Sequence, residues 1–279
     1  MTLGKAVVFG SSQLEQAGVR SPERDAELLL LHATGLSRTD LITQPDRILA
    51  AAEVNRYRQA IARRALSEPV QYITGEREFY GLRFTVTPDV LIPRPETEHL
   101  IEAALERVPP NAPFRIADVG AGSGAIAIAL AVARPMASVV AVDISPAALK
   151  IARQNASAHG VAARIEFVEA DLLDGIAARS FDMVVSNPPY IADGERETLD
   201  AEVKDYEPAT ALFAGPTGLE IYERLIPQAA TALRPGGWLL MEIGAGQQLQ
   251  LAQLLKDWSN VGLVPDLQGI PRVILAQRT

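Results

Sequence analysis

The sequence predicts an α/β fold, a mostly parallel β-sheet with helices on both faces, preceded by a small helical domain. Three observations carry that expectation. From Arg115 onward short β-rich runs alternate with helical ones, the pattern of βαβ units in a parallel sheet. Glycines at alternate positions in Gly120-Ala121-Gly122-Ser123-Gly124 stand between the run Arg115–Val119 and an Ala/Ile/Leu-rich helical stretch. A further apolar run, Phe181–Ser186, stops at Asn187-Pro188-Pro189-Tyr190, where two prolines without N–H groups cannot continue a ladder.

In chain order, residues from about Leu3 to Leu66 show helical spacing. Ser21 before Pro22 reads as an N-cap followed by proline at the first helical position, with Leu28, Leu29, Leu31 and Ala33 as the apolar face. Helical stretches follow near Ser37–Ile42 and Ala50–Ala65, the latter with Arg56, Arg58, Arg63 and Arg64 outward as a solvated face. Arg77–Tyr80 and Leu82–Val86 alternate around Gly81 as a hairpin, and Pro88, Pro93 and Pro95 stiffen the connection onward. The expected domains are a helical one over 1–70, a hairpin and proline-rich linker over 71–95, and the α/β domain over 96–279. Within the last, Ser138–Val142 and Arg164–Val168 are strands beside Arg115–Val119 and Phe181–Ser186. His32, His99 and His159 fall in helical stretches and read as partly exposed surface residues.

Ligands of an open α/β sheet bind outside the carboxyl ends of its strands, which is where the glycine turn and Asn187 fall. An acid about 20 residues after a glycine turn suits a ribose diol, and Asp143 closes the next strand at that distance. Asp171 and Leu172 end the third strand at the same edge, an acceptor for an amino group beside an apolar face. Asn187, the Pro188 carbonyl and the ring of Tyr190 offer a planar nitrogen group two acceptors and a flat wall. Each signal alone also has a plain reading: a tight βα turn, a helix-capping Asp143, a turn Asp171, or a Pro-Pro turn whose Asn caps the strand.

Together these elements resemble class I S-adenosylmethionine-dependent methyltransferases, and Asn187–Tyr190 resembles their amino-methylating branch. The segments Pro69-Val70-Gln71-Tyr72-Ile73-Thr74-Gly75 through Gly81-Leu82-Arg83-Phe84 and Leu91-Ile92-Pro93-Arg94-Pro95-Glu96-Thr97-Glu98 are similar to those of the PrmC/HemK family, which methylates the glutamine of the Gly-Gly-Gln motif in peptide-chain release factors. Lys204–Pro208, Gly218–Tyr222, Glu242-Ile243-Gly244 and Gly269–Val273 are further family-like marks. The resemblance implies a Rossmann-like methyltransferase sheet whose last strand, near Val273–Gln277, runs antiparallel, and a substrate-docking role for the helical domain. It implies that S-adenosyl-L-methionine lies across Gly120, Ala121, Gly122, Ser123 and Gly124, with its ribose on Asp143, its adenine beside Asp171 and Leu172, and Asn187 at its methyl end. Asn187 and Pro188 would hold the acceptor amide, Tyr190 would pack against it, and Pro189 would keep the loop rigid. Arg94 and Glu96 either line the same pocket or only fix the linker.

Composition narrows the partners. The net charge of −8 suits a basic protein partner better than a nucleic-acid backbone, so no stable nucleic-acid binding is expected, and the resemblance implies that the partner is a class I peptide-chain release factor. The absence of cysteine excludes disulfides and thiol chemistry and fits a reducing cytoplasm; no metal site, membrane segment or export signal is expected, and the chain reads as a monomer. The alternative function is methylation of an adenine or guanine exocyclic amine in DNA or RNA, which uses the same loop logic on a flipped-out base. A catalytically silent binding module of the same fold is the other alternative, against which the intact Gly120–Gly124, Asp143 and Asn187 speak.

Overall fold

Residues 1–279 are described by a computed structural model, in which the N-terminal helical signals resolve into α1 (Leu3–Gln16), α2 (Pro22–Thr34), α3 (Arg38–Thr43) and α4 (Ala51–Ala65), followed by a further helix, α5 (Val70–Thr74), in a stretch expected to belong to the hairpin and linker. With the segment Asp200–Tyr206 these form one compact unit, Met1–Glu76. Helix α1 buries Leu3, Ala6, Gly10 and Leu14, the three-and-four spacing of one face. Pro22 opens α2 as expected, but the Ser21 side chain makes no capping bond, and the buried face is Asp25, Ala26, Leu29, Leu30 and Ala33, leaving Leu28 exposed.

The arginine set on α4 is corrected at Arg64. Tyr57, Ala60 and Ile61 form the buried stripe, and Arg64 is its next member at helical spacing, so it points inward. Its Nε donates to Asp25 Oδ2 at 2.7 Å and its Nη1 to Glu202 Oε2 at 2.7 Å, with the Glu68 carbonyl at 3.1 Å. The Tyr57 hydroxyl is satisfied by the Ala6 carbonyl at 3.0 Å.

The second unit comprises Arg77–Leu199 and Glu207–Thr279. Strands β1 (Glu76–Phe79) and β2 (Leu82–Thr85) form the expected hairpin; Tyr80 and Gly81 turn it with φ of 51° and 69°, the paired left-handed geometry of a two-residue turn. After a 3₁₀ turn, Pro95–Thr97, come α6 (Glu98–Leu105), β3 (Phe114–Val119), α7 (Ala125–Ala133), β4 (Ala137–Asp143), α8 (Pro146–Ala158), β5 (Ile165–Glu169) and β6 (Phe181–Ser186). His159 caps the C-terminal end of α8 instead of lying within it, with Nε2 2.8 Å from the Arg83 carbonyl. The chain continues through β7 (Ile191–Ala192), α9 (Ala201–Lys204), α10 (Ala209–Leu212), β8 (Phe213–Gly215), α11 (Glu220–Ala232), β9 (Leu233–Glu242), α12 (Gln248–Leu254), β10 (Ser259–Pro265) and β11 (Pro271–Gln277).

Seven strands form one sheet in the order β10-β11-β9-β6-β3-β4-β5. Strands β5, β4, β3, β6 and β9 are parallel, and β11 runs antiparallel to both β9 and β10. Alternate residues along each strand feed two apolar layers: Ile116, Val139, Met183 and Val185 pack with α6 and α7, while Ala117, Val140, Val184 and Leu239 pack with α11 and α12. Because α7 is apolar all round, from Ala125 to Ala131, it is buried all round. No helix is long and apolar enough to cross a membrane.

Removing Arg64 leaves the Asp25 carboxylate buried without its cation, so Arg64→Ala should cost about 3–5 kcal/mol of unfolding free energy. The exposed pair of Arg63 with Glu68 should contribute within about 1 kcal/mol. Urea titration of both variants checks the difference.

Candidate active site

Strand β3 pairs with β4 on one side and β6 on the other, so the connections leave in opposite directions and a crevice opens beyond its carboxyl end. Val119 pairs with Ser186, and the Ser186 hydroxyl donates to the Val119 carbonyl at 2.7 Å. Gly120 and Asn187, the residues that follow, therefore emerge side by side. A β-carbon at Gly120 would stand 3.9 Å from the Asn187 carbonyl oxygen.

Asp143 is the last residue of β4. Its Oδ2 accepts from the Gly122 amide at 2.8 Å and its Oδ1 from the Ser145 amide at 2.9 Å, which ties the glycine turn to the start of α8. Burial raises its pKa, and these amide bonds oppose the rise.

A cavity of about 330 Å³ occupies the crevice, lined among others by Gly120, Gly122, Asp143, Ile144, Asp171, Leu172, Asn187 and Pro189. Ala121, Ser123 and Gly124 do not line it. The Gly120 and Ala121 amides both bond the Val142 carbonyl, Ala121 and Ser123 are buried, and Gly124 (φ 81°) caps α7. A β-carbon at Gly124 would approach the Ala152 side chain to 3.1 Å, so this glycine seats α7 against α8. Asp171 and Leu172 reach the cavity together; the Asp171 carboxylate is paired with Arg224, at 2.6 Å.

A second, smaller cavity of about 40 Å³ lies beside Leu91, Arg94, Asn187, Pro188, Tyr190 and Ala211. Asn187 lines both cavities, whereas Pro188 and Tyr190 face only the smaller one. The Asn187 Nδ2 donates to Thr97 Oγ1 at 3.0 Å, and the Thr97 hydroxyl donates to Glu242 Oε2 at 2.6 Å. The Tyr190 side chain lies close enough to the Glu242 carboxyl to oppose the rise in its pKa, and the Tyr190 carbonyl receives Gln247 Nε2 at 3.0 Å. Burial, and the Glu242 charge after it, push the Tyr190 phenol up, so it stays neutral. Arg94 pairs with buried Glu207 at 2.6 Å, joining the linker to the Glu207-Pro208 segment; Glu96 does not line either cavity.

Four further residues support the site without having been singled out for it in the sequence. Gly218 is required because a β-carbon there would fall 2.6 Å from the Tyr190 carbonyl. Thr97 and Glu242 are buried at 4% and 2% exposure, and burial lifts the Glu242 carboxyl to about 7. Asp118, inside β3, accepts from the Ala127 amide at 3.0 Å and so caps the first turn of α7 behind the glycine turn. Its signal was an acid within the apolar run Ile116–Val119, and its own Oδ1 has no partner.

Comparison with known proteins bears on the fold and the family. Residues 5–75 match the family described as PrmC N-terminal domain, and residues 98–204 match the methyltransferase small domain. Among solved structures, the hMettl16 catalytic domain bound to an RNA hairpin superposes with a TM-score of 0.57 at 19% identity, over 78% of this chain and 81% of that one. A Thermus thermophilus 16S rRNA N2 G1207 methyltransferase, in complex with AdoMet and guanosine, gives a TM-score of 0.54 at 21% identity, over 73% and 50%. At such identities these show the fold alone, and with the matched domains the protein is defined as a methyltransferase.

Full-length relatives are more specific. The chain is 50% identical over its whole length to 99% of the release factor glutamine methyltransferase of Koribacter versatilis. It is 45% identical, over 99% of this chain and 95% of the relative, to the protein of that name from Nitratidesulfovibrio vulgaris. The chain belongs to the release factor glutamine methyltransferase family.

Burial pushes the Asp118 carboxyl up to about 7 from an ordinary 3.8. The folded state then holds its proton where the unfolded state has lost it, so stability should be greatest below pH 4 as far as this group is concerned, and should fall as pH rises from about 4 to about 7. Asp118→Asn keeps an acceptor for the Ala127 amide and should flatten that part of the profile, read as thermal midpoints at intervals of pH.

Proposed function

We propose that the protein transfers a methyl group from S-adenosyl-L-methionine to the side-chain amide nitrogen of the glutamine in the Gly-Gly-Gln motif of class I peptide-chain release factors. The observation that carries this reading is the position of Asn187 between two cavities, a larger one for the methyl donor and a smaller one for the acceptor.

The larger cavity suits the donor. Gly122 has φ of 55° and open space where a β-carbon would stand, so its backbone can meet a ligand closely. Each Asp143 oxygen accepts one amide N–H and keeps lone-pair capacity for a ribose hydroxyl. Ile144 and Leu172 supply apolar walls beside Asp171, as a purine ring with an exocyclic amine requires. S-adenosylmethionine held there supplies a sulfonium-activated methyl group.

An amide nitrogen is a weak nucleophile because its lone pair is delocalised into the carbonyl, so the protein's contribution is placement and charge stabilisation. The Asn187 Oδ1 and the Pro188 carbonyl take no hydrogen bond within the chain and are free to accept the two hydrogens of the substrate amide. They orient the nitrogen and oppose the positive charge that grows on it as the new bond forms. Tyr190, kept neutral by burial, acts as a wall and not as a base. The protonated amide that results is acidic enough to lose its proton to water. All these residues come from one chain, so a monomer suffices, and the reading places it in the cytoplasm with its substrate.

Asp143→Ala should weaken S-adenosylmethionine binding by about 1.5–3 kcal/mol, the worth of hydrogen bonds to a charged group. Isothermal titration calorimetry measures it, and unchanged affinity would put the ribose elsewhere.

With intact release factor and labelled donor, mass spectrometry should find one methyl group on the Gly-Gly-Gln glutamine, and Asn187→Ala should slow single-turnover transfer by roughly 10²–10³ with donor affinity little changed. Robust labelling of duplex DNA or bare ribosomal RNA, with release factors unlabelled, would overturn the reading.

A further inference from the structure

Thr97 and Glu242 are buried polar residues that touch neither cavity, yet Thr97 bonds to the loop that does, and Glu242 to Thr97. Thr97 stands at the N-cap of α6, where a threonine hydroxyl ordinarily turns to a first-turn amide; here it makes no such bond. It is committed instead to Glu242 Oε2, to which the hydroxyl donates at 2.6 Å. With its single hydrogen used, Thr97 Oγ1 has only lone pairs left for Asn187.

That polarity decides which way the carboxamide lies. Asn187 can present Nδ2 to Thr97, giving the observed 3.0 Å bond, or after a half-turn present Oδ1, which would set lone pair against lone pair. The flipped arrangement would also turn Nδ2 toward the incoming amide, so that two donors met and the acceptor the reaction needs was lost. The Glu242 carboxyl lies near the Tyr190 side chain at the other end of the same loop, and the Glu242 backbone carbonyl accepts the Tyr222 hydroxyl at 2.8 Å, which anchors it in the core.

We propose that Thr97 and Glu242 are positioning residues, a buried relay that fixes the Asn187 carboxamide with its oxygen toward the acceptor nitrogen. The inference rests on the functional reading above and deepens it at the same site. It gives a role to Thr97 and Glu242, which line neither cavity. The relay acts through Asn187, so its loss should matter only while Asn187 is present.

The test uses the full chain with intact release factor. Thr97→Val, which keeps the shape and removes the hydroxyl, should lower the single-turnover rate at saturating donor by about 10–100-fold, with the donor dissociation constant changed less than about threefold. Thr97→Ser should restore the rate to within about threefold, and in an Asn187→Ala background Thr97→Val should slow transfer by less than about twofold more, because the two residues act as a unit. Thr97→Ala is made in parallel and read in the same way, in case the valine does not fold. A hydroxyl-free variant that reacts at the wild-type rate, or losses that multiply in the double variant, would overturn the relay while leaving the functional reading standing. A wild-type protein that labels no release factor removes both.

Discussion

The pairing of Val119 with Ser186, at the carboxyl ends of β3 and β6, is the constraint on which the site depends. It puts the glycine turn and the Asn187 loop in neighbouring strand positions, and the Ser186 hydroxyl on the Val119 carbonyl ties the two ends together. Were the register to slip by one residue, every side chain of β6 would change face, and the apolar layers on both sides would come apart. The packing of Met183 and Val185 against one helical layer and Val184 against the other therefore places Asn187 as surely as any contact within the crevice.

Around that seam the protein spends its buried polar groups on geometry. Asp143 ties the glycine turn to α8, Asp118 fixes the start of α7, Glu207 holds Arg94, and Glu242 serves Thr97 and Tyr190. Each is an acid at or near the end of a strand or loop, held through at least one oxygen by an amide, a hydroxyl or a guanidinium. Carboxyl groups in such surroundings cost free energy unless paired, and the pairing is specific enough to hold a loop in one arrangement.

What could be read from the sequence follows the range of the signals. The sheet, the hairpin and the family were legible because period, punctuation and contiguous segments carry them, and the reversed last strand was implied by the family resemblance alone. Arg64 was misjudged because charge suggested solvent while its spacing from Tyr57, Ala60 and Ile61 placed it inside. In the glycine turn, the strand–turn–helix context was plain, but which amides turn back to the Val142 carbonyl depends on the neighbouring strand. Thr97 and Glu242 were out of reach for a sharper reason: they meet across 145 residues, and neither shows locally that its partner is the other.

The segment Asp200–Tyr206, which clusters with the N-terminal helices although four of the seven strands of the central sheet, β3 to β6, precede it in the chain, bears on how the chain is made. The helical unit is not a finished module when Glu76 leaves the ribosome. Arg64 still lacks Glu202, and the Leu66 carbonyl lacks the Tyr206 hydroxyl that will bond it at 2.7 Å. During synthesis these two contacts can close only after residue 206 has emerged, so part of the first unit is supplied by chain made well after it.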